Sequence, residues 1–307
     1  MPPALPDSIT IATRGSPLAL WQAAHIEALV AAAHPQVKTS FLVVKTKGDS
    51  ILDRPLAELG GKGLFVKEIE EAITRGEADM AVHSMKDVPM TLPEGFVIGA
   101  MPVRGPAEDV FLSNFFPNPA SLPEGARVGS SSPRRKAQIL MMRPDLQVVP
   151  LRGNIATRLD KLARNEFDAI ILAKAGLARL GLSAPCAWEF AKEEFIPAAG
   201  QGALGIEFMD CRRDLHNLLA HMEDMPTRIC VESERAFVRE LEADCYAPVA
   251  AHAWFSENRK LTIKALLAAE DGTAGMSGSK TGEASCELGK ALAKELRQLA
   301  KERGIAC

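Results

Sequence analysis

A short strand, a serine and a helix that opens on proline can be read twice in this chain, and that repeat limits the fold more than any other feature. In the first copy Ser8-Ile9-Thr10-Ile11-Ala12-Thr13 reads as a strand, Ser16 as a helix cap, and Pro17 as the start of a helix reaching about Ala33. In the second copy Ala126-Arg127-Val128-Gly129 is the strand, Ser130-Ser131-Ser132 supplies the cap, and a helix runs from Pro133 to Met142 until Pro144 stops it. Phe41-Leu42-Val43-Val44 and Asp79-Met80-Ala81-Val82 read as further strands around a helix over Val66 to Thr74. The stretch from Asp168 to Gly176 then echoes that from Asp79 to Asp87: an acid, a buried strand, and a turn with a lysine. Strands alternating with helices in this way predict a mainly parallel sheet, and the echo predicts two similarly built α/β halves.

The first half carries extra chain from Lys45 to Phe65, where Gly48, Gly60, Gly61 and Gly63 suit a mobile loop or lid. Joints rich in Pro and Gly at 102–106 and 197–202 read as hinges between lobes. Beyond Arg228 the pattern predicts a helix over Val231 to Glu242, strands around Val249 to Trp254 and Leu261 to Ala268, and a long helix ending near Gly304. That remainder is expected to form a smaller α+β domain.

Composition removes several function classes. No apolar run approaches the ~20 residues that cross a bilayer, and the first residues lack both the basic start and the apolar core of a secretion signal. A cytoplasmic protein is expected. A net charge of −3 excludes a surface shaped throughout for nucleic acid, and 12 Phe, 3 Trp and 1 Tyr give little area for stacking bases. The six cysteines form no CxxC pair and none has a histidine at zinc spacing, so no metal is expected. Spacing alone singles out none of them.

The strongest chemical signal is Ser130-Ser131-Ser132-Pro133-Arg134-Arg135. Cations in the first turn of a helix oppose the macrodipole by a few tenths to about 1 kcal/mol each, so two arginines there are poor choices for stability alone. Helix-start N–H groups, hydroxyls and guanidinium forks all donate hydrogen bonds, which is what an anion site needs. Arg14, just before Gly15-Ser16-Pro17, holds the corresponding place in the first half and predicts a second anion site facing the first across a cleft. Arg152 and Arg158 follow the strand Gln147-Val148-Val149-Pro150, at the carboxyl end where open α/β sheets bind ligands. A cleft rich in arginine on an acidic protein predicts a ligand with several carboxylates or phosphates. Asp87, in His83-Ser84-Met85-Lys86-Asp87-Val88-Pro89, suits a turn by composition; in a positive cleft it would stay ionised and stabilise a cation. Gly60-Gly61-Lys62-Gly63 lacks the ending of a phosphate loop.

Taken together these motifs resemble the hydroxymethylbilane synthase, or porphobilinogen deaminase, family. The resemblance runs from Thr13-Arg14-Gly15-Ser16-Pro17-Leu18-Ala19-Leu20-Trp21-Gln22 through Gly60 to Phe65, His83 to Pro89, Ser131 to Arg135, Leu151 to Asn154, Thr157 to Leu159 and Gln201 to Gly205, as far as Glu234-Arg235-Ala236-Phe237. It implies two lobes like those of periplasmic binding proteins, with mixed, mainly parallel sheets, and a small α+β C-terminal domain. Lobe 1 would comprise 1–100 and 200–220 with the lid loop 45–65, lobe 2 would comprise 101–199, and 221–307 would carry one special cysteine.

The family condenses four porphobilinogen molecules head to tail, losing ammonia each time, and releases linear hydroxymethylbilane by hydrolysis, a step of tetrapyrrole and haem biosynthesis. Growth in the family is primed by a dipyrromethane cofactor on a cysteine thioether, and the resemblance implies that this cysteine is Cys245 here. Each ring brings an acetate and a propionate, and loss of ammonia leaves an electron-poor azafulvene whose charge the family's aspartate, here Asp87, would stabilise through pyrrole N–H groups. The resemblance further assigns Lys86, Ser132, Arg134 and Arg135 to the cofactor and Arg14, Ser16, Arg152 and Arg158 to substrate carboxylates. Lys62 and Phe65 would belong to the lid, and Gln201 to the interlobe crossing. A monomer is expected, with no nucleic-acid or membrane partner. Ala243-Asp244 stands where many members have Gly-Gly before the cysteine; an adjacent carboxylate disfavours the thiolate, which bears on the rate of attachment rather than its place.

Overall fold

The structure is a computed structural model that describes residues 5–46, 66–242, 248–269 and 271–303. In chain order its first elements are β1 (Ser8–Arg14), α1 (Pro17–Ala33), β2 (Lys38–Val44), α2 (Lys67–Thr74), β3 (Met80–Ser84), β4 (Phe96–Ala100) and β5 (Asp109–Ser113). There follow β6 (Arg127–Gly129), α3 (Pro133–Met142), β7 (Gln147–Val149), α4 (Ile155–Ala163), β8 (Ala169–Ala173), α5 (Lys174–Leu180) and β9 (Cys186–Glu189). The chain closes with β10 (Leu204–Met209), α6 (Arg213–Leu219), α7 (Met225–Glu240), β11 (Val249–Phe255), β12 (Leu261–Ala268), β13 (Gly275–Gly282) and α8 (Glu287–Glu302).

The chain divides into two compact units, Met1–Gly105 with Ala203–Arg228, and Pro106–Gly202 with Ile229–Cys307. The first holds a five-stranded sheet in the order β2-β1-β3-β10-β4, with β1 parallel to β2 and β3, and β10 antiparallel to both its neighbours. The second holds β7-β6-β8-β5-β9, with β6 parallel to β7 and β8, and β5 antiparallel to β8 and β9. Four strands of each sheet therefore run one way and one runs back, which is the mixed, mainly parallel pattern expected. The reversed strand of the second sheet, β5, enters from the chain that leaves the first, and that of the first, β10, returns from the second.

Period-two alternation buries both faces of each sheet. In the first unit Ile9, Ile11, Met80 and Val82 pack on Ala23, Ile26 and Val30 of α1. Ala12 and Ala81 face the other way, onto Ile69 and Ile73 of α2. In the second unit Val128, Ala169 and Ile171 meet Ile139 of α3, while Ile170 and Leu172 meet Leu162 and Leu177.

The C-terminal region forms a separate antiparallel sheet, β11-β12-β13, covered by α8. Its helix α7 begins at Met225, earlier than its apolar periodicity predicts, because Asp224 caps it by accepting from Thr227 N at 2.9 Å and Pro226 is tolerated in a first turn. Helix α8 crosses α7 at Gly289, where a Cβ would lie 2.0 Å from the Ser233 carbonyl oxygen, so only glycine fits. Ala137 of α3 packs with Ala250, Leu266 and Ala268. The helix that carries Arg134 and Arg135 is thus held between its own lobe's sheet and the C-terminal sheet.

Candidate active site

In the first unit the carboxyl ends of the neighbouring strands β1 and β3 bring together Arg14, Ser16, Lys86 and Asp87. Arg14 is the last residue of β1 and is half-buried. Ser16 caps α1, its hydroxyl accepting from Ala19 N at 3.3 Å. Strand β3 passes directly into a short helical turn, Met85–Asp87, in which Lys86 is half-buried and Asp87 exposed. The turn is pinned from beneath: Met85 N donates to Ala203 O at 3.0 Å, and the buried Met85 side chain fills the space beside Gly205, where a Cβ would lie 2.2 Å from its sulfur. Gln22 of α1 donates to Ser84 Oγ at 2.8 Å and ties the helix to the end of β3. Asp87 therefore stands on a rigid base.

In the second unit the loops after β6 and β7 are laced together. Ser131 Oγ donates to Leu151 O at 2.9 Å and accepts from Leu151 N at 3.0 Å, and Ser132 caps α3 by accepting from Arg135 N at 3.4 Å. Arg152 is half-buried in the second of these loops, and Arg158, in the first turn of α4, donates from Nε to Gly153 O at 2.8 Å.

Arg134 and Arg135 differ from the sequence expectation in their first acceptor. Both are buried, at 4% and 7% exposure, and both close on Asp109, which is wholly buried. Arg134 Nη1 lies 2.7 Å from Asp109 Oδ2 and 2.7 Å from Ile196 O. Arg135 gives Nε and Nη2 to Asp109 Oδ1 at 3.0 and 2.7 Å and Nη1 to Ile171 O at 3.0 Å. Buried Gln201 joins them, donating to Ala107 O at 2.6 Å and Asp109 Oδ1 at 3.1 Å. Burial alone would push the Asp109 carboxyl up, but the two guanidinium groups reverse this and hold it well below the usual carboxylate range. Burial likewise lowers Arg134, Asp109 opposing and Arg135 adding to it.

Sequence reasoning missed Asp109. Because β5 runs antiparallel, its first residue pairs with Ala173 at the carboxyl end of β8, the same edge that carries α3. The available signal was an acid heading the wholly apolar run Val110-Phe111-Leu112, which no stable strand buries without a partner. Lys62, Phe65 and Cys245, with Ala243-Asp244, lie outside the described residues.

The repeated lobe makes the triad informative. Ser16-Pro17-Leu18-Ala19 in the first unit matches Ser132-Pro133-Arg134-Arg135 in the second, and Leu204, paired with Ser84, matches Asp109, paired with Ala173. One lobe fills these positions with Leu, Ala and Leu, and the other with Arg, Arg and Asp. Replacing a buried ionic group by apolar residues is typically neutral or stabilising by about 1–4 kcal/mol, so the fold does not require the charges. Two cations against one carboxylate leave one net positive charge at the ligand edge of the sheet. With Arg152 and Arg158 on the same edge, that charge fits a group bearing several carboxylates.

Among the described residues no three His, Cys, Asp or Glu side chains could hold a metal ion, and no helix is long and apolar enough to cross a membrane. The family model described as "Porphobilinogen deaminase, dipyromethane cofactor binding domain" matches residues 9–217, and "Porphobilinogen deaminase, C-terminal domain" matches 228–298. A porphobilinogen deaminase of Nitratidesulfovibrio vulgaris is 56% identical over 260 residues, covering 85% of this chain and 82% of that one. One of Chromobacterium violaceum is 49% identical over 292 residues, covering 94% of each. Among solved structures, the periplasmic aliphatic sulphonate binding protein SsuA of Escherichia coli aligns at 16% identity and a TM-score of 0.40, over 77% of this chain and 71% of that one.

Proposed function

This chain belongs to the porphobilinogen deaminase family, and from that premise we propose how its own residues carry out the reaction. The activity is that of a hydroxymethylbilane synthase, a transferase of tetrapyrrole biosynthesis that works with a dipyrromethane cofactor. When bound, that cofactor supplies the pyrrole carbon on which the chain grows. Cys245 is the residue we assign to its thioether, in a domain spanning 221–307.

The observation that carries the reading is the net positive Asp109, Arg134 and Arg135 cluster at a strand edge. Ser132, Arg134 and Arg135 would bind cofactor carboxylates there, and Arg152 and Arg158, on the same edge, would take those of the growing chain. Asp109 and Gln201 orient the guanidinium groups. In the first lobe Arg14 and Ser16 would bind the incoming substrate, and Lys62 and Phe65 are assigned to the same substrate. Lys86 would neutralise a carboxylate beside Asp87. The Asp87 carboxylate would accept hydrogen bonds from pyrrole N–H groups and stabilise the positive charge that develops as ammonia leaves. The protein is proposed to act as a cytoplasmic monomer.

Incubation with porphobilinogen tests this. One ammonia released per pyrrole consumed, with a linear tetrapyrrole as product, is the expected result; binding without ammonia release would mean a solute-binding protein in this fold.

A further inference from the structure

A second group of acids lies where α2 packs on the sheet of the first lobe. His83 of β3 and Glu207 of β10 are both buried, with Nε2 and Oε2 2.8 Å apart. The other Glu207 oxygen, Oε1, is buried with no hydrogen-bond partner among the described residues. A buried acceptor left without a donor bears its desolvation penalty uncompensated, and the more so when it is charged.

Glu70 of α2 stands next to it. Burial first, and then the neighbouring Glu207 charge, push the Glu70 carboxyl up to about 7, with His83 opposing and Glu71 adding a little. The three strands packed on α2 present Glu207 from β10, His83 from β3 and, two residues beyond the inward-facing Ala12, Arg14 from β1. A protonated Glu70 carries the one donor that Glu207 Oε1 lacks.

We infer that Glu70 and Glu207 share one proton at neutral pH, Glu70 donating to Oε1 and His83 to Oε2 of Glu207, and that this pair is a proton-dependent latch holding α2 to β3 and β10. Strand β3 runs from His83 through Ser84 into the Met85–Asp87 turn, so the latch positions Asp87. That second step rests on the function proposed above; the shared proton does not. Because the folded value is raised, the latch's stabilisation is complete below the ordinary glutamate value of 4.5 and is lost as pH rises through about 7, when two adjacent carboxylates repel.

Glu70→Gln keeps a donor for Oε1 and cannot ionise. The melting temperature of the parent should fall by several degrees more than that of the variant between about pH 6 and about pH 8.5. The infrared band of a protonated carboxylic acid should be present in the parent at the lower pH, lost at the higher, and absent from Glu70→Gln throughout. Absence of that band from the parent, or parallel melting profiles, overturns the shared proton, and the infrared test needs no folded variant. With porphobilinogen, kcat of the parent should fall with an apparent pKa near 7 while KM is unchanged, and Glu70→Gln should lose that limb. Identical kcat profiles alongside a titrating band would overturn the positioning role and leave the proton pair standing. Failure of the function reading would show instead as no turnover in either protein.

Discussion

An Asp87→Asn variant melts as the parent does and releases ammonia from porphobilinogen about 10²–10³-fold more slowly. The two halves of that expectation have separate physical grounds. Asp87 is exposed at the end of its turn, while the turn itself is fixed by buried Met85 against Gly205 and by Met85 N on Ala203 O, so the amide changes no packing. What it removes is the negative charge. An amide oxygen still accepts a hydrogen bond from a pyrrole N–H, but a neutral acceptor is roughly half as strong as an ionised one and does not offset developing positive charge. The loss should therefore fall on kcat with little change in KM, as for an interaction made in the transition state. Near-normal turnover in Asp87→Asn would take this residue out of the mechanism.

The second large effect is on stability. Asp109→Ala should cost about 3–5 kcal/mol, read as a lowered denaturation midpoint, because it strands two buried guanidinium groups against one another. Restoring the arrangement of the other lobe, with Asp109→Leu, Arg134→Leu and Arg135→Ala together, should recover most of that loss, since Leu204, Leu18 and Ala19 occupy the matching positions there. The triple variant should nonetheless assemble no tetrapyrrole. Recovery of both stability and turnover would show the charges to be dispensable, and recovery of neither would show the triad to be structural. The pH dependence has a definite sign: Asp109 is held below its ordinary value, so its contribution is present above the ordinary carboxylate range and is lost as pH falls through the lowered one.

Much of this architecture can be read from the chain itself. The Ser-Pro helix starts at 16–17 and 132–133 are local signals, set by capping geometry and proline's fixed φ, and the structure begins both helices at those prolines. Strands β1, β8 and β12 announce themselves by β-branched or apolar runs. Strand β13 does not: Gly-Met-Ser-Gly-Ser-Lys-Thr-Gly has no apolar alternation and is a strand because β12 pairs with its whole length while Gly278 admits Leu296 of α8. Pairing of that kind is long-range and leaves no local trace. The site shows the same limit. Arginines in a helix's first turn mark an anion site, whereas the internal anion they first meet, Asp109, lies at the start of a strand from a distant part of the chain, and only the reversed direction of β5 brings it there. The Glu70, Glu207 and His83 group is hidden for the same reason: α2 and β3 are neighbours in the chain, but Glu207 comes from β10, far beyond them.

On the mechanism proposed, a covalently primed enzyme, and not a binding protein, carries this anion site. The intact mass of the purified protein, set against the 33.0 kDa of the chain, tests it most directly when followed by peptide mapping. An excess equal to two porphobilinogen-derived rings, carried on the Cys245 peptide, is the predicted result. An unmodified chain that also gains no such mass on incubation with porphobilinogen would contradict the account.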